Sequence, residues 1–225
     1  MQDSQETHPP ETTVTAVPKP SLLGVLTDPT TQFQRIAKRP VFGKALFIIL
    51  VLSMIFSGIS IYITVPNPIG VLAVIPGVLI GFPLTLLLTA LLQWLFLLLL
   101  AGEASYRQVF SFNVYLSVVA LLAAAVQAVA LIIMGAPTDP EAPARVTSLV
   151  SLFPTESQAM RALLGKFEVF SIWQWILTGM GLSIVGNVSR AKGWAVAIVL
   201  FVLGVAYAAG MGALGDSLKG IVPAQ

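Results

Sequence analysis

The sequence predicts an all-α fold: a polytopic membrane helical bundle with five transmembrane helices, preceded by a short amphipathic interfacial helix. Composition is the first observation behind this. Hydrophobic residues make up 56% of the 225-residue chain and charged residues only 10%, against roughly 25% charged in a soluble domain, so there is too little charge to coat a globule. The placement of charge is the second. No Asp, Glu, Lys or Arg occurs in Ala45 to Gly102, Gln108 to Thr138, Val169 to Ser189 or Gly193 to Gly215. A helix rising about 1.5 Å per residue crosses a hydrocarbon core of about 30 Å in about 20 residues, so the first stretch crosses twice and each of the others once.

Residues 1–20 are polar and proline-punctuated, with no apolar core of the kind a secretory signal needs, and read as a disordered cytosolic tail. Residues 21–40 form an amphipathic cytosolic segment. In it Asp28 caps a helix that opens on Pro29 and closes before Pro40. Phe33, Ile36 and Ala37 share one face of that helix while Arg35, Lys38 and Arg39 supply positive charge. That pattern marks Phe33, Arg35, Ile36, Lys38 and Arg39 as candidate contacts with the membrane surface or a partner; a helix docked on the bundle is the plainer alternative.

The membrane domain, 41–215, begins with a span at about 44–64 that ends in the turn Val65-Pro-Asn-Pro68. The second, about 71–101, carries Pro76 and Pro83, which remove backbone donors and should kink or interrupt the helix. Gly102 to Val109 reads as a polar connector to the third span, about 112–134, where Asn113 and Gln127 interrupt the apolar surface. Amides within spans usually bond a neighbouring helix, and Gln93, Asn113, Gln127 and Gln174 are the candidate polar contacts.

The long outside loop, 135–167, should hold one helix. Thr155 and Gln158 would form its capping box, and Ala159, Met160, Leu163, Leu164 and Phe167 its apolar face, which is expected to cap the bundle. The fourth span, about 169–187, begins beside Trp173 and Trp175. The fifth, about 194–214, follows the turn Ser189 to Lys192 and begins at Trp194, indole rings favouring the membrane boundary. A tail, 216–225, closes the chain.

Basic residues set the orientation. Lys19, Arg35, Lys38, Arg39, Lys44, Arg107, Arg190 and Lys192 fall on one side, with Arg145, Arg161, Lys166 and Lys219 on the other. The richer side is cytosolic, which puts the amino terminus in the cytosol and, after five spans, the carboxyl terminus across the plasma membrane. Small residues recur at helix-contact spacing: Gly77 and Gly81; Ala120, Ala124 and Ala128; Gly204, Ala208 and Gly212. Such stripes are expected first to serve helix packing within the chain, the alternative being a partner protein or a second copy in a homo-oligomer.

The side chains that catalysis needs are scarce. Cysteine is absent, the single histidine, His8, sits in the tail, and no span carries a pair of carboxylates or a His-Glu-x-x-His helix. Nor is there a phosphate-cradling Gly-x-x-x-x-Gly-Lys loop. No catalytic residue, metal ligand or cofactor is expected, and a net charge of +2 gives no reason to expect nucleic acid.

Four segments together resemble the Yip family of Ypt/Rab-interacting membrane proteins, in its bacterial branch. They are Leu26-Thr-Asp-Pro-Thr-Thr-Gln-Phe-Gln-Arg-Ile-Ala-Lys-Arg-Pro40, Gly102-Glu-Ala-Ser-Tyr-Arg-Gln-Val109, and Phe167-Glu-Val-Phe-Ser-Ile-Trp173 with Gly181-Leu-Ser-Ile-Val-Gly-Asn-Val-Ser-Arg-Ala-Lys192. The resemblance implies a cytosolic amino terminus, five spans and a non-enzymatic role in assisting other membrane proteins. For bacterial relatives it implies an accessory role beside ABC-type exporters or in envelope-stress and toxic-peptide defence. The Asp-Leu-Tyr-Gly-Pro segment of the GTPase-engaging eukaryotic relatives is missing. The expected function is therefore an accessory or scaffold subunit contacting the lipid bilayer and another membrane protein. The alternative is a transporter or lipid-handling protein that uses the proline-interrupted second span.

Overall fold

The computed structural model describes residues 17–64, 68–135, 153, 157–165 and 167–219. The expected tail before residue 17, the Val65–Asn67 turn, most of the long loop and the last six residues lie outside these. Among the described residues the architecture is all-helical. Four helices are long and apolar enough to cross a membrane: Gly43–Thr64, Pro68–Leu99, Tyr106–Met134 and Arg190–Leu214. A fifth apolar helix, Val169–Val185, has 17 residues and sits at the short end of crossing lengths.

Two short helices come first. Ser21 caps α1 (Leu22–Thr27), its hydroxyl accepting from the Gly24 N–H at 3.4 Å. Asp28 caps α2 (Pro29–Lys38) by accepting from the Thr31 N–H at 3.3 Å. The Thr31 side chain and then its backbone N–H hold that carboxyl below its ordinary range, as expected where hydrogen bonds favour the charged form.

The first span is α3 (Gly43–Thr64). The second is broken where its prolines predict. Helix α4 (Pro68–Pro76) gives way to a π-helical turn, Gly77–Gly81, before α5 (Phe82–Leu99). The Phe82 N–H bonds Gly77 O, five residues back. Pro83 has no N–H to offer and its ring would crowd the carbonyl four residues earlier, so the wider turn relieves the clash. The Thr85 hydroxyl donates to Gly81 O at 2.9 Å just after the break.

The third span starts earlier than the composition predicts. Ser105 and Gln108 form a complete capping box that opens α6 (Tyr106–Leu116), so the expected polar connector is helical from Tyr106 onward. A break at Ser117 separates α6 from α7 (Val118–Met134). The helix of the long loop, α8 (Gln158–Gly165), packs along the last span. Its cap is Ser157, whose hydroxyl accepts from the Met160 N–H at 3.3 Å; Thr155 lies outside the described residues. The last two helices, α9 (Val169–Val185) and α10 (Arg190–Lys219), form an antiparallel pair. Their turn is Gly186 to Ser189, so the expected Ser189–Lys192 turn is shifted and Arg190 already belongs to α10.

Everything is arranged around α6. Val109 to Val119 is buried without interruption, enclosed by α2, α3, α5 and α9. Phe112 meets Phe33 edge to face with ring centroids 5.1 Å apart. A Cβ at Gly181 would also overlap the Phe112 ring. Glycines seat α9 against α10 in the same way. A Cβ at Gly179 would lie 2.7 Å from the Trp194 ring, and one at Gly193 2.8 Å from Gly179 O. The outer surfaces of the spans carry exposed Phe47, Ile55, Leu72, Leu88, Ile132 and Val202, which is where lipid belongs once charge is absent.

Filling the Gly181 notch should break the fold locally. Gly181→Ala is expected to destabilise the protein by about 1–3 kcal/mol, the usual cost of overpacking, whereas Gly204→Ala should be neutral within about 0.5 kcal/mol because nothing lies within 4 Å of its added methyl. Unfolding of the detergent-solubilised variants measures both.

Candidate membrane and partner surfaces

The expected contact residues of α2 divide by face. Phe33 and Ile36 are fully buried, packed into the core that α6 and α9 complete. They are therefore not membrane-surface contacts. The apolar stripe was read correctly as a stripe, but a protein groove fills it. Arg35 is half-buried, while Lys38 and Arg39 are exposed, leaving a basic outer edge. Arg39 Nη1 donates to Val17 O at 3.3 Å, tying the incoming chain to that edge.

Side-chain hydrogen bonds brace this unit internally and fasten it to the bundle. Gln32 Oε1 accepts from the Ser21 N–H at 2.8 Å, Gln108 Nε2 donates to Ala37 O at 2.6 Å, and the Ser111 hydroxyl donates to Val41 O at 3.2 Å. Sequence reasoning missed Gln32, Gln108 and Ser111 as anchors. The signal for one of them was the Ser105-x-x-Gln108 capping box.

Of the four polar span residues, the structure brings two together. Asn113 Nδ2 donates to Gln93 Oε1 at 2.6 Å and to Val109 O at 2.8 Å, and both side chains are buried. This is the interhelical contact expected of amides in spans, joining α5 to α6. Gln127 and Gln174 are half-buried and bond neither member of the pair. The Gln174 carbonyl accepts from the Thr178 hydroxyl at 2.8 Å. No His/Cys/Asp/Glu cluster able to hold a metal occurs among the described residues.

A second polar constellation sits at the end of the bundle that holds the α5–α6 and α9–α10 turns. Helix α5 ends with Ala101 left-handed (φ 57°) and α9 with Asn187 left-handed (φ 50°). Each closes the paired backbone bonds of a Schellman cap: Gly102 N–H to Leu97 O and Ala101 N–H to Leu98 O in one, Val188 N–H to Ser183 O and Asn187 N–H to Ile184 O in the other. The two caps are stitched together. Glu103 N–H donates to Gly186 O at 3.0 Å, Asn187 Nδ2 to Glu103 Oε2 at 2.7 Å, and Lys192 Nζ to Leu100 O at 2.8 Å. A lysine at a helix carboxyl end also complements its dipole.

The small-residue stripes stand apart from all this. No atom lies within 4 Å of a Cβ built at Gly77, Gly81 or Gly204, and Ala208 and Gly212 remain half-exposed. Close packing inside the chain is done instead by Gly179, Gly181, Gly186 and Gly193, so the intramolecular use expected for the first set is not found. Of the alanine stripe only Ala128 is buried, and Ala120 is exposed.

The order of these features, with the caps at 102–105 and 186–192 and the docked α2, is spanned by a single family match. The Yip1 domain covers residues 23–211. The chain belongs to the Yip1-domain family. It is similar to the membrane protein YknW of Bacillus subtilis (strain 168), at 30% identity over 216 residues, covering 87% of this chain and 91% of the relative. No solved structure matches. The Yip1 domain here is a multi-pass membrane protein, and the match takes in α2 and both stitched caps as well as the spans.

The buried amide pair offers a direct test of its role. Asn113→Leu alone leaves Gln93 unsatisfied and should cost about 1–3 kcal/mol, while Gln93→Leu with Asn113→Leu should recover a good part of that loss. Additive losses in the detergent unfolding series would mean that the two amides do not act as a pair.

Proposed function

We propose that this Yip1-domain protein is a non-catalytic accessory or scaffold subunit for other proteins of a bacterial plasma membrane, the partner being an ABC-type exporter in envelope-stress or toxic-peptide defence. One observation carries the reading. The buried amides bond one another inside the fold, while small-residue faces at Gly77/Gly81 and at Gly204/Ala208/Gly212 stay open on the outside. Small residues let helix backbones approach closely, so these faces suit other membrane helices, from a different protein or from a second copy. The exposed Lys38 and Arg39, with Arg35 beside them, add a basic edge suited to anionic headgroups or to an acidic partner surface. Membership of a family not known as enzymatic supports the non-catalytic part.

The π-helical turn at Gly77–Gly81 favours a second reading, transport or lipid handling at that break, since such turns recur at functional sites. In this proposal the 17-residue α9 is the fifth span, with the amino terminus cytosolic and the carboxyl terminus across the membrane.

Purification from native membranes in mild detergent, followed by mass spectrometry, should recover a stoichiometric membrane complex such as an exporter. Recovery of the chain alone, or with lipid only, would sink the scaffold reading and favour the second. Terminal tags should be protease-accessible from opposite faces of the membrane; accessibility from one face would rule out five spans.

A further inference from the structure

A cleft of about 630 Å³ opens between α1, the start of α3 and the α6–α7 break. Its rim carries two exposed lysines, Lys19 and Lys44, and its lining includes no Asp or Glu. Below the rim the walls turn apolar. Lys44, Ile48 and Leu52 stand four residues apart on one face of α3, a row about 12 Å long at helical rise, and Val118 and Leu121 of α7 face the same cleft. Between the cationic rim and the apolar floor sits Tyr115, 5% exposed, with no hydrogen-bond partner for its hydroxyl among the described residues. A buried hydroxyl without a partner is uncommon and marks a place where an acceptor belongs.

We propose that this cleft holds one anionic glycerophospholipid. Its phosphate lies between Lys19 and Lys44, an ester carbonyl accepts from the Tyr115 hydroxyl, and one acyl chain runs down the Ile48–Leu52 row. Charge complementarity selects the headgroup, and continuity of the groove with a spanning helix selects a lipid over a soluble phosphate. The row covers less than half of a hydrocarbon core of about 30 Å, so the rest of the chain stays in the bilayer. The site is distinct from the broken second span and from the small-residue faces.

The test uses the full chain in non-ionic detergent, with bound lipid read by native mass spectrometry during titration with dioleoylphosphatidylglycerol, dioleoylphosphatidylcholine or glycerol phosphate. Phosphatidylglycerol should bind preferentially and glycerol phosphate should not displace it. Lys19→Gln with Lys44→Gln should weaken phosphatidylglycerol about twenty-five-fold, from roughly fivefold per lysine, at an unchanged melting temperature because both residues are exposed. Arg107→Gln with Arg190→Gln, exposed and outside the cleft, should leave it intact. Leu52→Trp, which blocks the floor without altering charge, should weaken it as well. The proposal is overturned if the two lipids bind alike, if the outside pair loses as much as the rim pair, if glycerol phosphate competes, or if Leu52→Trp changes nothing.

Discussion

Phe112 packs on both the Phe33 ring and the bare backbone at Gly181, and the rest of the bundle is placed by that contact. It seats α2 and α9 together against α6, with α3 and α5 also packed on that helix, and eleven successive residues from Val109 to Val119 are buried. A helix enclosed so completely cannot satisfy side-chain polarity with water. Asn113 therefore needs Gln93, and Ser111 needs the Val41 carbonyl. The short helices before the first span owe their positions to the same centre, since α2 reaches it through Phe33 and Ile36 and is fastened by Gln108.

In a bilayer this arrangement has a consequence for function. Interior polarity is committed to holding helices together, so in the proposed scaffold role recognition falls to surfaces that the isolated chain leaves uncovered. Hydrocarbon gives little driving force for burying more apolar side chain, whereas small residues let backbones meet. Gly77, Gly81 and Gly204 have room beside them that a neighbouring helix could fill. At one end of the bundle the stitched caps around Glu103, Asn187 and Lys192 fix two turns relative to each other. That gives any partner docking there a rigid edge.

Much of the fold was legible because charge is so expensive in a membrane: the charge-free stretches located the apolar helices to within a few residues at most ends. The prolines likewise announced the break at Gly77–Gly81, and Asp28-Pro29 announced α2. Less was legible where two physical rules give the same pattern. An apolar stripe with flanking bases suits a headgroup layer and a protein groove equally, so Phe33 and Ile36 could not be assigned from sequence. Small-residue spacing has the same ambiguity. It pointed to Gly77 and Gly204, while the glycines that packing requires were Gly179, Gly181 and Gly193, whose spacing does not repeat every four residues. The start of α6 was written in Ser105 and Gln108 but masked by the polarity of the surrounding connector.

Site-specific photo-crosslinking in native membranes tests most directly whether the interior is structural and the outer faces recognise partners. A photoreactive side chain at Gly81 or Ala208 should give a discrete adduct with a second membrane protein or a second copy. One at Val114, at the centre of α6, should give only intramolecular products. Lipid adducts alone from the outer positions, or a small-molecule adduct from Val114, would contradict this division.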